Sequence, residues 1–212
     1  MTDIDHAIEQ YLDLPKLTAA EELVVATHEA GHAVCSLMCK HASPIDRISI
    51  RGDIGGALGY VQHADPAHKY VVTYNQLRDS MCTLFGGREA ECLLLDDCSI
   101  GSASDLEYAT NIARAMVEEY GDGGTELGIG RWRHDTKHDR KTPTSEVARA
   151  KVDDAVRLIL ERERMRAKTI LEQNRTMLEA LRDLLLEKKV LDRQSFSHLA
   201  PLPEPKKDPA HG

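Results

Sequence analysis

The sequence predicts a mainly α (α+β) protein: a helical domain with a small β-sheet and a C-terminal helical hairpin. Three observations point there. Apolar residues make up 42% of the chain but aromatics only 4%, so the core must rest on Leu, Val, Ile, Ala and Met, which favours helices over a large sheet. Long stretches open with helix-capping residues and run on as helical patterns. Only two short segments alternate in the manner of strands. With 212 residues the chain is long enough to bury a sizeable core, and no internal repeat divides it.

In chain order, residues 3–13 can form a short amphipathic helix with Ile4, Ile8 and Leu12 on one side and Pro15 just beyond. Thr18 and Glu21 have capping-box spacing, ahead of a helix expected from 19 to 41 that ends before Pro44. Residues 45–51 read as a strand of imperfect alternation and 57–63 as a second. The Gly-rich link 52–56 would allow an antiparallel pair. Thr73 can cap a helix running to Leu95, inside which Gly86 and Gly87 mark either close packing or a break. Ser102 or Ser104 caps the next helix, with Asp105 in its first turn and Gly121 as its stop. Residues 121–143 read as a loop. From Thr144 the pattern is helical and heavily charged, interrupted near Asn174 and Asp192, and Pro201 to Gly212 reads as a disordered tail.

Lys plus Arg number 27 and Asp plus Glu 35, a net charge of -8 that suits a phosphate backbone poorly, so no nucleic-acid partner is expected. The one basic segment, Arg131 to Lys141, also contains Asp135, Asp139 and Trp132 and reads as a solvated loop. The five cysteines, Cys35, Cys39, Cys82, Cys92 and Cys98, are an odd number without a secretory leader, which argues for free thiols in a reducing compartment. No stretch approaches the roughly 18 apolar residues of a membrane-spanning helix. The expected location is cytoplasmic.

The chemistry concentrates at His28-Glu29-Ala30-Gly31-His32, which fits H-E-x-x-H. Residues four apart lie on one helical face about 6 Å from each other, so two imidazoles can bind one Zn²⁺. Glu29 is placed to take a proton from water as general base. The bland alternative is a chance match on a core helix. His134 and His138 share the spacing, but no Glu follows the first, and they belong to a charged loop rather than a second metal site. Cys35 and Cys39 continue the face of the histidines. Each helical turn moves about 5.4 Å along the axis, which puts Cys39 out of reach of a metal centred between them. A catalytic zinc needs a third protein ligand, for which spacing nominates Glu91, Asp96, Asp97 and Asp105 without ranking them.

Five blocks carry a resemblance: His-Glu-Ala-Gly-His-Ala at 28–33, Ala-Leu-Gly-Tyr at 57–60, Gly-Gly-Arg-Glu-Ala-Glu at 86–91, Gly-Ser-Ala-Ser-Asp-Leu at 101–106 and Ala-Thr-Asn-Ile-Ala-Arg-Ala-Met-Val at 109–117. In this order they resemble the peptidase domain of FtsH-type AAA zinc metalloproteases, matched along roughly residues 18 to 200. The resemblance implies residues 1–17 as an N-terminal extension, 18–200 as the peptidase domain and 201–212 as a tail. It implies His28, His32 and Asp105 as zinc ligands and Glu29 as the catalytic base. Serines at 102 and 104 replace the family's usual Ala and Asn and leave the carboxylate of Asp105 in place. Glu91 competes for the ligand role, or orients one histidine as an acceptor behind it. Residues 57–63 match an edge strand, implying that peptide substrates add beside the zinc along Ala57, Leu58, Gly59 and Tyr60.

The expected function is therefore a zinc metalloendopeptidase acting on accessible or unfolded polypeptide. The alternative is a peptidase subunit or modulator working only with a separate AAA ATPase or a full-length hexamer, and a homo-oligomer is left open. Full-length relatives carry a membrane anchor and an ATPase module. Neither is expected here, and no G-x-x-x-x-G-K-[ST] phosphate loop occurs in the sequence.

Overall fold

A computed structural model describes residues 17–51, 58–64, 71–132 and 145–199. The expected helix at 3–13, the Gly-rich link, the tail, Ala57, His134 and His138 lie outside them. Helix α1 spans Ala19–Met38, opened by a capping box in which the Thr18 hydroxyl accepts from the Glu21 N–H while Glu21 accepts from the Thr18 N–H at 2.7 Å. It stops short of the expected residue 41. The Asp79 carboxylate accepts from the His41 N–H at 2.7 Å and draws the chain out of the helix.

Strand β1 (Ile45–Ser49) pairs antiparallel with β2 (Tyr60–His63), with a register irregularity between Ile45 and Arg47 that accounts for the imperfect alternation. Helix α2 (Tyr74–Leu94) starts with a second capping box, Thr73 with Gln76. A 3-10 turn (Ile100–Ser102) leads into α3 (Ala103–Glu118), where Ser102 holds the cap position without a side-chain cap bond. The stretch read as a loop holds a short helix, α4 (Gly124–Leu127).

Helix α5 (Glu146–Gln173) starts at Ser145, whose hydroxyl accepts from the Ala148 N–H, and ends at Asn174. Helix α6 (Arg175–Lys188) follows at once. Its Leu178, Leu181 and Leu185 form a fully buried stripe, each worth about 1.5–3 kcal/mol in apolar burial. Lys189, left-handed at φ 63°, then turns the chain into a third strand, β3 (Val190–Asp192), which the sequence reading missed. It pairs antiparallel with β1, giving the order β2-β1-β3, and leads into α7 (Arg193–Phe196).

The core lies where α1 and α2 pack together. Helix α5 covers the other side of α2, α6 covers α1, and the sheet closes against α1. The two arms of the C-terminal hairpin thus bury their apolar faces mainly on different partners. Among the described residues, no helix is long and apolar enough to cross a membrane. One expectation fails: Cys92 and Cys98 are joined in a disulfide, leaving Cys35, Cys39 and Cys82 as buried free thiols. An odd count cannot reveal that the end of α2 folds back on itself and brings the two Cα atoms within 5.1 Å.

Candidate active site

The site grows out of the seam between α1 and α2. Helix α1 meets its neighbour at Gly31, and Cys35 one turn on lies against the same stretch of α2. A Cβ on Gly31 would lie 2.3 Å from the Gly86 carbonyl oxygen, so the two backbones meet here and neither residue has room for a side chain. The adjacent Gly87 faces His28, where a Cβ would fall 2.5 Å from Nε2. The paired glycines of α2 are close packing rather than a break.

On the far side of that seam three donor atoms converge. His28, His32 and Asp105 each offer one, and all lie within 4.8 Å of one another. Asp105 Oδ2 is 3.2 Å from His28 Nε2 and 3.4 Å from His32 Nε2. The rings stand edge to face, with centroids 4.6 Å apart. Their other nitrogens are engaged: His32 Nδ1–H donates to the Thr83 carbonyl at 2.8 Å, and His28 Nδ1–H donates to Glu91 Oε1 at 2.6 Å. Each acceptor places the proton on Nδ1 and turns Nε2 toward Asp105. Glu91, 1% exposed, is itself held by Ser99, whose N–H donates to Oε2 at 2.5 Å and whose hydroxyl donates to Oε1 at 3.1 Å.

Charge follows from this geometry. Burial works against protonation of His28, but its bonds to Asp105 and Glu91 and the nearby Glu29 outweigh it, and its pKa is pushed up to about 9. Asp105 is held well below the usual carboxylate range: burial opposes this, and the two histidines overcome it. The centre therefore favours positive charge among its donors. Glu29 is 6% exposed, and burial raises its pKa while His32 and His28 pull it down. Desolvation makes it a stronger base than a surface carboxylate.

These groups open onto a largely apolar groove of about 820 Å³, lined by Val24, Val25, Leu84, Leu58, Gly59 and Tyr60 among others. Among the described residues β2 pairs only with β1, so its outer edge borders the groove. Gly59 lies against Glu29: a Cβ there would be 2.7 Å from Oε1. The Tyr60 hydroxyl is buried and, among the described residues, has no hydrogen-bond partner. Asp96 and Asp97, nominated by spacing, are exposed and outside the donor group. Glu91 stands behind His28 rather than among the converging atoms. Cys39 lies elsewhere, accepting from Arg166 at 3.3 Å. Sequence reasoning missed Thr83, Ser99 and the contact between Gly87 and His28. Only the glycine pair left a visible signal, whereas His28 and His32 were legible on one helical face from their spacing.

A mainly helical domain that gathers two imidazoles and a carboxylate beside an edge strand and a buried glutamate has the layout of a metal-dependent hydrolase. The chain belongs to peptidase family M41, whose family model matches residues 16–199. It is 35% identical over 204 residues to the ATP-dependent zinc metalloprotease FtsH of Thermotoga maritima, covering 91% of this chain and 33% of the relative. The protein of the same name from Rhodothermus marinus is 36% identical over 214 residues, covering 96% of this chain and 30% of the relative. That from Ralstonia pickettii is 32% identical over 225 residues, covering 97% and 31%. The chain thus spans about a third of the length of these relatives.

Proposed function

We propose that this chain is a zinc-dependent metalloendopeptidase that cleaves accessible or unfolded polypeptide. One observation carries the reading: His28, His32 and Asp105 place three donor atoms within 4.8 Å of one another, with Glu29 buried beside them on the groove. Two imidazole nitrogens and one carboxylate oxygen suit Zn²⁺ and leave a fourth position for the reacting group. When bound, zinc supplies Lewis-acid polarisation of the scissile carbonyl and of water. Glu91 and the Thr83 carbonyl hold the two rings in the tautomer that frees Nε2. Glu29 accepts the proton of the attacking water at its carboxylate and returns it to the departing amine. The edge of β2 away from β1, with Leu58, Gly59 and Tyr60 and the preceding Ala57, takes the substrate as an added strand.

Cleavage of an unstructured protein such as casein, with and without a chelator, tests the reading directly. Glu29→Gln keeps shape and metal but cannot accept the proton, so hydrolysis should fall by about 10²–10⁴-fold with zinc content unchanged. Comparable activity in that variant would sink the mechanism. A second reading has this domain act on polypeptide delivered by a separate AAA ATPase. It draws support from the relatives, which are named ATP-dependent. Cleavage seen only after such an ATPase is added would select it.

A further inference from the structure

The turn from α2 to α3 sets both Glu91 and Asp105, and it carries the disulfide. Cys92 is next to Glu91 in the chain, and Cys98 is next to Ser99. Ser99 is the residue whose N–H and hydroxyl hold the Glu91 carboxylate, which in turn holds the His28 ring. From the sulfur bridge to the donor atoms there are only two peptide neighbours and two sets of hydrogen bonds. Between Leu95, whose N–H donates to the Glu91 carbonyl, and Ser99, which caps the 3-10 turn, the tip of this turn is exposed and strained. Asp96 sits in the left-handed region at φ 56°, which a β-carbon disfavours. Asp96 and Asp97 are adjacent, exposed and of like charge, and Asp97 accepts from the neighbouring Cys98 N–H at 2.7 Å.

We infer that the Cys92–Cys98 bond is a redox-sensitive clasp that keeps Ser99 on Glu91 and thereby positions His28 in the donor set. The inference rests on the metal-centre reading above. Ser99 acts as a positioning residue through Glu91 and touches no reacting atom. Closing the clasp transfers two electrons from the two thiols to a small-molecule disulfide such as glutathione disulfide. One S–S bond forms within the chain, the small disulfide's S–S bond breaks, and the two thiol protons end on the two small thiols released; reduction by excess small thiol runs the exchange backwards. Both cysteines are only half-buried, so a small thiol can reach the bond, while Cys35, Cys39 and Cys82 are buried away from solvent. With the clasp open, the turn is free to leave its left-handed residue, and Glu91 loses its Ser99 donors for part of the time. Losing support behind a metal-binding histidine costs roughly 10–100-fold in affinity.

The test uses the full chain in three forms: oxidised, reduced with the reductant then removed anaerobically, and a Cys92→Ser/Cys98→Ser double variant. Alkylation with mass mapping should find Cys92 and Cys98 blocked in the oxidised form. Competition with a chromogenic chelator should give zinc binding about tenfold tighter for the oxidised form than for the other two. Without metal, the Ser99 amide should exchange its hydrogen at least about tenfold more slowly when oxidised, since its bond to Glu91 is then protected. Equal exchange and equal zinc affinity across the forms, or free thiols at both positions after oxidation, would overturn the clasp. If the double variant does not fold, the reduced wild type supplies the comparison. Failure of every form to bind zinc would count against the metal-centre reading, and the exchange contrast at Ser99 would then decide the clasp by itself.

Discussion

Helix α2 is gripped on two sides by opposite means. Toward α1 the contact is backbone on backbone, Gly31 against Gly86, with the fully buried Ala90 beside it. Toward α5 it is made by long charged side chains. Arg164 reaches Glu89 at 3.1 Å and Arg166 reaches Asp79 at 2.5 Å, both carboxylates buried on α2, while Glu163 of α5 itself braces Arg166 at 3.0 Å. The first seam has no side-chain torsion to absorb an error, and it is the one that places His28 and His32. The second can adjust by rotating arginines. Close packing of small residues gives the rigidity a donor set needs, whereas a salt-bridged seam holds the helix without dictating its position to a few tenths of an ångström.

Four substitutions can break or sharpen this contrast. Gly31→Val should have the largest effect. Overpacking costs about 1–3 kcal/mol and occasionally more, and here the obstacle is a carbonyl oxygen that cannot rotate aside, so a loss of roughly 3 kcal/mol or more is expected in urea unfolding. Near wild-type stability would show that the seam is looser than the glycines imply. Asp79→Ala comes next, at about 1–3 kcal/mol. It strips the acceptor from the His41 N–H and one of the two carboxylates that pair with Arg166. A loss rivalling that of Gly31→Val would mean that the charged seam is no more forgiving.

Gly87→Ala should leave the fold nearly intact, because the nearest atoms the added methyl meets belong to the His28 ring and alanine favours the helix by roughly 1 kcal/mol. The ring must move instead. Zinc affinity measured by chelator competition should drop about tenfold, equivalent to about 1.4 kcal/mol. Unchanged affinity would separate Gly87 from the site. The smallest effect belongs to Asp153→Ala, which removes an exposed partner of Arg114 at 3.1 Å and should cost less than about 0.5 kcal/mol. A larger loss would show that even the solvent-facing ion pairs contribute to α5.

Much of this was legible one residue at a time. The capping boxes at Thr18 and Thr73 start their helices because a hydroxyl and a side chain three residues later satisfy each other's neighbouring N–H groups, a purely local transaction. The shared face of His28 and His32 follows from helical geometry alone. Strand β3 was not legible: three residues after a left-handed lysine carry too short a pattern, and they become a strand only because β1 offers them hydrogen bonds. Glu91 and Asp105 could be named among four acidic candidates, but nothing in their spacing said which would stand behind a histidine and which between the two.

The sequence by itself determined that His28, Glu29 and His32 share one helical turn, because i to i+4 geometry is the same in every α-helix. It also determined where the main helices begin. Only the tertiary structure decided that Gly87 lies against His28, that the Thr83 carbonyl and Glu91 take the two Nδ1 protons, that Asp105 enters from a third helix, and that Cys92 meets Cys98. The physical reason is range. Torsional preference and capping act over about one turn, whereas these contacts join residues brought together by the burial of apolar surface, whose outcome depends on every helix at once.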